Sequence, residues 1–348
     1  MILVDVSGSR PCPTVTLVSS AEEKAELDLP IEVGLNAVIV AVTDETPRIL
    51  TIRPESADAS PAQGADLDDY LPSGSLDSIG DRTLELGLRR WVREQTGLDL
   101  GYIEQLYTFG DRDRDADGRR RLLSIAYLAL ARQVEVFGPG SPAWRQVYAY
   151  LPWEDWRSGR PERIDSVIAP ALIEWSEGAT TAPVQKARRD RAEIAFGLGA
   201  MTWDPNRVLD RYELLYEAKM VAEAQPTREG PPTMPAPFGR SMSLDHRRIV
   251  AASLERLRGK LSYRPVVFEL LPEAFTLLAL QRVVEALSGM GLHKSNFRRL
   301  VEQAQLVERT GELDAPPRGR PAELFRFRRE VLRERPAPGV TLPRRFPR

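Results

Sequence analysis

The chain has 348 residues, 42% of them hydrophobic and 28% charged, which is enough apolar material for two compact domains and excludes a disordered chain. One cysteine, Cys12, excludes an internal disulfide framework, and with only two histidines, His246 and His293, it also excludes a tetrahedral zinc site of the usual ligands. No apolar run approaches the roughly 20 residues of a membrane span and no secretion signal is visible, so a soluble protein of the cytoplasm, associated with the nucleoid, is expected.

The net charge of −2 conceals an asymmetry. From Arg240 to the C-terminus 22 Lys+Arg face 12 Asp+Glu, a net of +10, which leaves −12 on residues 1–239. A basic last third on an acidic body is the footprint of a polyanion-binding module attached to something else.

Taken in order, residues 1–30 read as an irregular lead-in with an acidic run at Glu22–Glu26. Ile31–Thr43 is rich in β-branched residues and predicts a buried strand, with a second at Ile49–Ile52 and the turn Asp44–Pro47 between them. Residues 53–69 carry loop composition. A helix is expected over Thr83–Thr96, where Leu84, Leu88, Trp91, Val92 and Gln95 recur at helical spacing and Gly97 supplies the stop. Leu100–Phe109 and Leu122–Leu130 predict two further strands around a charged loop, Asp111–Gly118. The pattern implies an α/β sandwich over residues 31–150.

Residues 151–225 read as a helical insert, with helices over Ala182–Phe196 and Asn206–Ala224. The second carries an apolar stripe of Leu209, Tyr212, Tyr216 and Met220. Five prolines in 226–243 mark a stiff linker where the charge changes sign. Leu244–Leu261 is an amphipathic helix with Arg247, Arg248, Arg256 and Arg258 placed on its surface. Val266–Pro272 reads as extended.

A helix follows with Thr276 as N-cap and Leu277, Leu280, Val284 and Leu287 as its buried stripe. The next, Lys294–Ala304, buries Phe297, Leu300, Val301 and Ala304. That turns Lys294, Ser295, Asn296, Arg298 and Arg299 outward. Arginine pairs bidentately with guanine and asparagine with adenine, so this face has the chemistry to read bases. Arg318 and Arg320, between prolines, suit a wing tip that contacts phosphate. The winged helix-turn-helix is expected over 244–330, with a basic tail at 331–348.

The strand–helix arrangement of 31–135 resembles a Nudix domain, whose box ends on Gly97-Leu98 here and places its arginine on Arg90. A Nudix hydrolase holds divalent cations with glutamates on this helix. In this chain Trp91, Gln95 and Arg82 occupy those positions, so the resemblance implies the fold with hydrolysis lost: not an enzyme, and no metal or cofactor required. A nucleotide would bind without cleavage, with Arg53, Arg82, Glu94 and Arg112 as candidate contacts.

Combined with Phe275–Leu277, Leu280–Val283, Asn296–Arg299 and Gly319–Phe327, the chain is similar to the Nudix-related, NrtR-like transcriptional regulators of NAD metabolism. Its added length resembles the alphaproteobacterial NAD regulators called NadQ. The resemblance implies a homodimeric repressor of NAD biosynthesis or salvage genes. Its partners would be a double-stranded DNA operator and an effector nucleotide: ADP-ribose, NAD or ATP. The alternative is a pyrophosphohydrolase of nucleoside diphosphate derivatives with a DNA-binding appendage.

Overall fold

The computed structural model describes residues 30–53, 69–111, 121–224, 238–314, 321–334 and 339–340. Strand β1 (Ile31–Thr43) is the centre of the N-terminal sheet. It pairs antiparallel with β2 (Thr46–Thr51) and β3 (Ser73–Ser75), and parallel with β5 (Arg121–Leu130). The edges are β4 (Tyr102–Phe109), paired with β5, and β6 (Ala143–Gln146), paired with β2.

Alternation along β1 feeds two cores. Val38 and Val40 enter a large one, while Leu35, Ala37 and Ile39 enter a small one on the opposite face. Burial on both faces explains why the β1 sequence is a near-continuous apolar run. The turn after it is tighter than the sequence suggests. Within it Asp44 and Glu45 adopt positive φ, 48° and 61°, which matches strand twist across a two-residue loop and draws Pro47 into β2.

Helix α1 (Leu84–Thr96) covers the small core with Leu88 and Val92. Thr83 Oγ1 accepts from the amide of Leu86, and Gly97 ends the helix at φ 69°. Both ends fall where capping chemistry places them.

The large core continues without a break from the sheet into the helices that follow. These are α2 (Val147–Tyr150), α3 (Ala169–Glu177), α4 (Ala182–Phe196), α5 (Val208–Glu217) and α6 (His246–Leu261). Helix α5 is shorter than expected and its stripe is rotated. Val208, Arg211, Tyr212, Leu214 and Leu215 are buried, whereas Tyr216 is exposed and Lys219, at φ 56°, breaks the helix. The buried arginine is what a hydrophobicity pattern misses.

Helix α6 requires a second correction. Arg247 and Arg258, expected on its surface, are buried. Arg247 pairs with Glu223 and donates to the carbonyls of Phe238 and Arg240; Arg258 pairs with Glu154. Each has a carboxylate and carbonyl oxygens to offset its desolvation, so the basic charge here is partly structural. Arg256 is exposed, and Arg248 is shared between Glu213 and Asp111.

The segment expected to be extended is instead a 3-10 helix, Val266–Leu270, in which Val267 and Leu270, three apart, face the core together with Val266. The chain then forms β7 (Phe275–Thr276), α7 (Leu277–Ser288), α8 (Lys294–Ala304), β8 (Val307–Asp314) and β9 (Ala322–Phe327). The three strands make a small sheet in the order β7-β9-β8. Two helices followed by this sheet form the winged helix-turn-helix. Residues 1–29, Arg112, Arg318 and Arg320, most of the linker and most of the basic tail lie outside the described residues; the tail's Val331–Glu334 is a short helix.

Candidate nucleic-acid interface

Helix α7 positions α8. Thr276 Oγ1 accepts from the amide of Ala279 at 3.1 Å and fixes the start of α7. Near its other end, Gln281 Nε2 donates to the carbonyl of Leu292 at 2.8 Å, and Glu285 Oε1 accepts from the amide of Leu292 at 2.7 Å. The turn between the helices is thus held by α7 side chains, which sets the angle at which α8 leaves.

On α8 only Phe297 and Val301 are fully buried; Leu300 and Ala304 are partly so. Lys294, Ser295, Asn296, Arg298 and Arg299 are exposed together over its first turns. Arg298 pairs with Glu302 one turn on, at 3.0 Å, and Ser295 Oγ lies 2.9 Å from His293 Nδ1. The pairing leaves the guanidinium half exposed, so an intrahelical ion pair of this kind, worth a few tenths of a kcal/mol, yields readily to a stronger acceptor. In the wing, Arg309 pairs with Glu323 and Arg326 with Glu308.

The candidate ligand residues do not assemble into one cluster. Arg53, at the end of β2, directs Nε to Asp69 Oδ1 at 2.8 Å, beside Tyr150 of the large core. Arg82 is exposed in the loop before α1, and Glu94 lies on α1 itself, 3.5 Å from Arg90. Arg90 is held chiefly by Asp81 at 2.9 Å, and this hydrogen-bonded pair raises the guanidinium pKa and lowers that of the carboxyl.

The positions that would carry metal-binding glutamates do other work. Trp91 Nε1 donates to the carbonyl of Ser75, and its ring sits so close to Gly74 that a Cβ there would come within 2.1 Å. Gln95 accepts from the amide of Ser73 at 3.0 Å and donates to its carbonyl at 2.7 Å. Together they clamp β3 onto α1. A glutamate at position 95 would lose the donor and face a carbonyl with like charge. A cleft of about 610 Å³ opens elsewhere, lined by Gln146, Tyr148, Asp155, Glu162, Arg163 and Ser166, and includes none of the candidate ligand residues.

What the sequence did not reveal is the joint between the two halves. Tyr148 Oη donates to the carbonyl of Ala286 at 2.7 Å, and the amide of Trp156 donates to the carbonyl of Gly289 at 2.7 Å. Arg282 of α7 pairs with Glu45 in the β1–β2 turn. Beneath them Glu154, fully buried, receives Arg211 Nε at 2.6 Å and pairs with Arg258. Burial opposes its charge, but the two guanidiniums outweigh that and hold its pKa below the ordinary value. No residue pattern announces such a joint, since its partners lie from 57 to more than a hundred positions apart.

The architecture is that of an α/β body with a Nudix-like fold carrying a C-terminal winged helix-turn-helix. Residues 267–327 match the NrtR DNA-binding winged helix domain. A stretch of 86 residues is 34% identical to the "ADPR responsive transcriptional repressor NtrR" of Acinetobacter baylyi; this covers 25% of the chain and 34% of that relative, so the match spans about a third of the relative's length. The crystal structure of Shewanella oneidensis NrtR aligns over 87% of this chain and 96% of its own, at 23% identity and a TM-score of 0.50. The Nudix domain of that NrtR, solved with ADP-ribose, covers 39% of this chain and 88% of its own, at 24% identity and a TM-score of 0.31. The winged-helix match and the stretch shared with the Acinetobacter repressor meet the resemblance to NrtR-like regulators read from the sequence, while the likeness to NadQ rests on chain length alone.

Proposed function

We infer that this chain is a DNA-binding transcriptional repressor of NAD biosynthesis or salvage genes that senses ADP-ribose through a Nudix-like domain without hydrolysing it. One observation carries the reading. A winged helix presents Lys294, Ser295, Asn296, Arg298 and Arg299 on an exposed helix, and its supporting helix α7 is bonded directly to the nucleotide-type body. The N-terminal half of such a helix enters the major groove, where Asn296, Arg298 and Arg299 have the donors to read base edges and Lys294 and Ser295 to hold phosphate. The pairing of sensor and reader in one chain, in direct contact, is what ligand-controlled DNA binding requires.

The name of the Acinetobacter relative supports ADP-ribose as the effector over NAD or ATP. Loss of hydrolysis is supported by Trp91 and Gln95, which are committed to Ser73–Ser75 where a hydrolase would present carboxylates. A homodimer on a two-fold operator is the assembly that fits a single recognition helix per chain.

Fluorescence anisotropy with duplex DNA from the protein's own upstream region tests the reading. Specific binding that Arg298→Ala and Arg299→Ala each weaken supports it. Binding to that duplex no tighter than to a scrambled one contradicts it.

A further inference from the structure

Three arginines from distant parts of the chain converge on one carboxylate at the seam between the sheet and the start of α6. Asp69 is 1% exposed, and its Oδ1 takes Arg53 Nε at 2.8 Å while Oδ2 takes Tyr150 Oη at 2.5 Å. Arg240 Nη2 lies 3.5 Å from Oδ2, and Arg145 Nε lies 4.0 Å from Oδ1. Those four groups come from the segment just after β2, from β6, from α2 and from the chain leading into α6.

One carboxylate neutralises one guanidinium. Arg53 and Tyr150 make the direct hydrogen bonds, which leaves Arg145 and Arg240 near Asp69 without a bond of normal length to it. Arg145 Nε is buried with no hydrogen-bond partner among the described residues. Yet both side chains reach solvent, Arg145 at 36% and Arg240 at 46% exposure. Two guanidiniums near one carboxylate, each on a side chain that reaches solvent, offer a fork suited to an oxyanion. Asp69 acts as the buried post that sets them side by side rather than as their full counter-charge.

We propose that Arg145 and Arg240 form a binding site for a pyrophosphate group. The two unmatched positive charges suit a diphosphate better than a single phosphate, because each guanidinium can chelate one phosphoryl unit. The position also has a consequence for control. Arg145 belongs to β6 and Arg240 to the segment that enters α6, so an anion between them ties the sensor sheet to the output half.

Isothermal titration of the full chain with inorganic pyrophosphate tests the site, with sodium sulfate at matched ionic strength as control. Pyrophosphate is expected to bind wild type and to bind Arg145→Gln and Arg240→Gln about tenfold more weakly, as loss of a charge-assisted contact implies. Arg240→Gln guards against misfolding: its backbone amide bond to Ala149, 2.9 Å, survives the substitution, and its melting temperature should match wild type. Equal affinity in wild type and both variants, or a sulfate response as large as that to pyrophosphate, overturns the site. The same titration with ADP-ribose identifies the source. A parallel tenfold loss assigns the site to the pyrophosphate of a nucleotide, and unchanged ADP-ribose binding assigns it to a free polyphosphate.

Discussion

The hydroxyl of Tyr148 donates to the backbone carbonyl of Ala286 at 2.7 Å, joining the helical turn after β6 to the third turn of α7 across 138 positions of sequence. Both groups are buried, and burial raises the tyrosine pKa, so the phenol stays a donor throughout the neutral range. The bond therefore fixes α7, and with it α8, to the N-terminal body. Tyr148→Phe leaves a buried carbonyl short of a partner. An expected loss of about 1–3 kcal/mol should appear as a lower urea midpoint with unchanged slope.

Glu154 beneath that joint is the most consequential buried charge. Its side chain is 0% exposed and pairs with Arg211 and Arg258 at once. Glu154→Gln keeps the shape and strands two buried cations, for an expected cost of about 3–5 kcal/mol. The pH dependence follows from sign. A carboxyl whose folded pKa lies below its unfolded value of about 4.5 stabilises fully above that value and loses its contribution as pH falls through the depressed one. The stability gap between wild type and Glu154→Gln should be flat from pH 6 to 8, both inside the range above about pH 5, and narrow only in more acid solution.

Gln95 and Trp91 give a prediction about lost catalysis. Restoring an acidic side chain with Gln95→Glu removes the donor to the carbonyl of Ser73, so the latch on β3 should weaken by about 1–3 kcal/mol. Calorimetry should record a lower melting temperature for this variant, with no Mg²⁺-dependent release of AMP from ADP-ribose. Recovery of hydrolysis by this single change would show that the helix had kept a working metal site.

On the recognition helix, Arg298 and Arg299 should separate. Arg298 holds Glu302 in the free protein and must exchange that partner for DNA, whereas Arg299 is exposed and makes no ion pair among the described residues. Each arginine that meets a base is expected to contribute about 1–3 kcal/mol and to relax specificity at one position when replaced by alanine. Glu302→Ala, which frees Arg298, should tighten operator binding in the same assay and lower the salt dependence little.

The elements with local signals were legible in sequence. Strand β1 and helices α4 and α8 fall on their expected residues because their ends are set by Gly197, the Asp44–Glu45 turn or short-range periodicity. The exposed face of α8 was legible for the same reason, since helical spacing alone separates the buried Phe297 and Val301 from the exposed Arg298 and Arg299. Long-range chemistry was not. Arg211, Arg247 and Arg258 look like surface residues until Glu154 and Glu223 are brought beside them, and Asp69 gives no hint that it gathers arginines from positions 53, 145 and 240. Of the candidate ligand residues, Arg53 meets Asp69 beside Tyr150 of the large core, whereas Glu94 stands on α1, which covers the small one.

The central claim is that nucleotide binding, without turnover, controls the grip of α8 on DNA. Anisotropy of the full chain on its upstream duplex, titrated with ADP-ribose while AMP is assayed in the same samples, tests it most directly. The account expects operator affinity to change by about 5–150-fold, the range of typical allosteric coupling, with ADP-ribose recovered intact. Affinity that stays constant while AMP accumulates would contradict it.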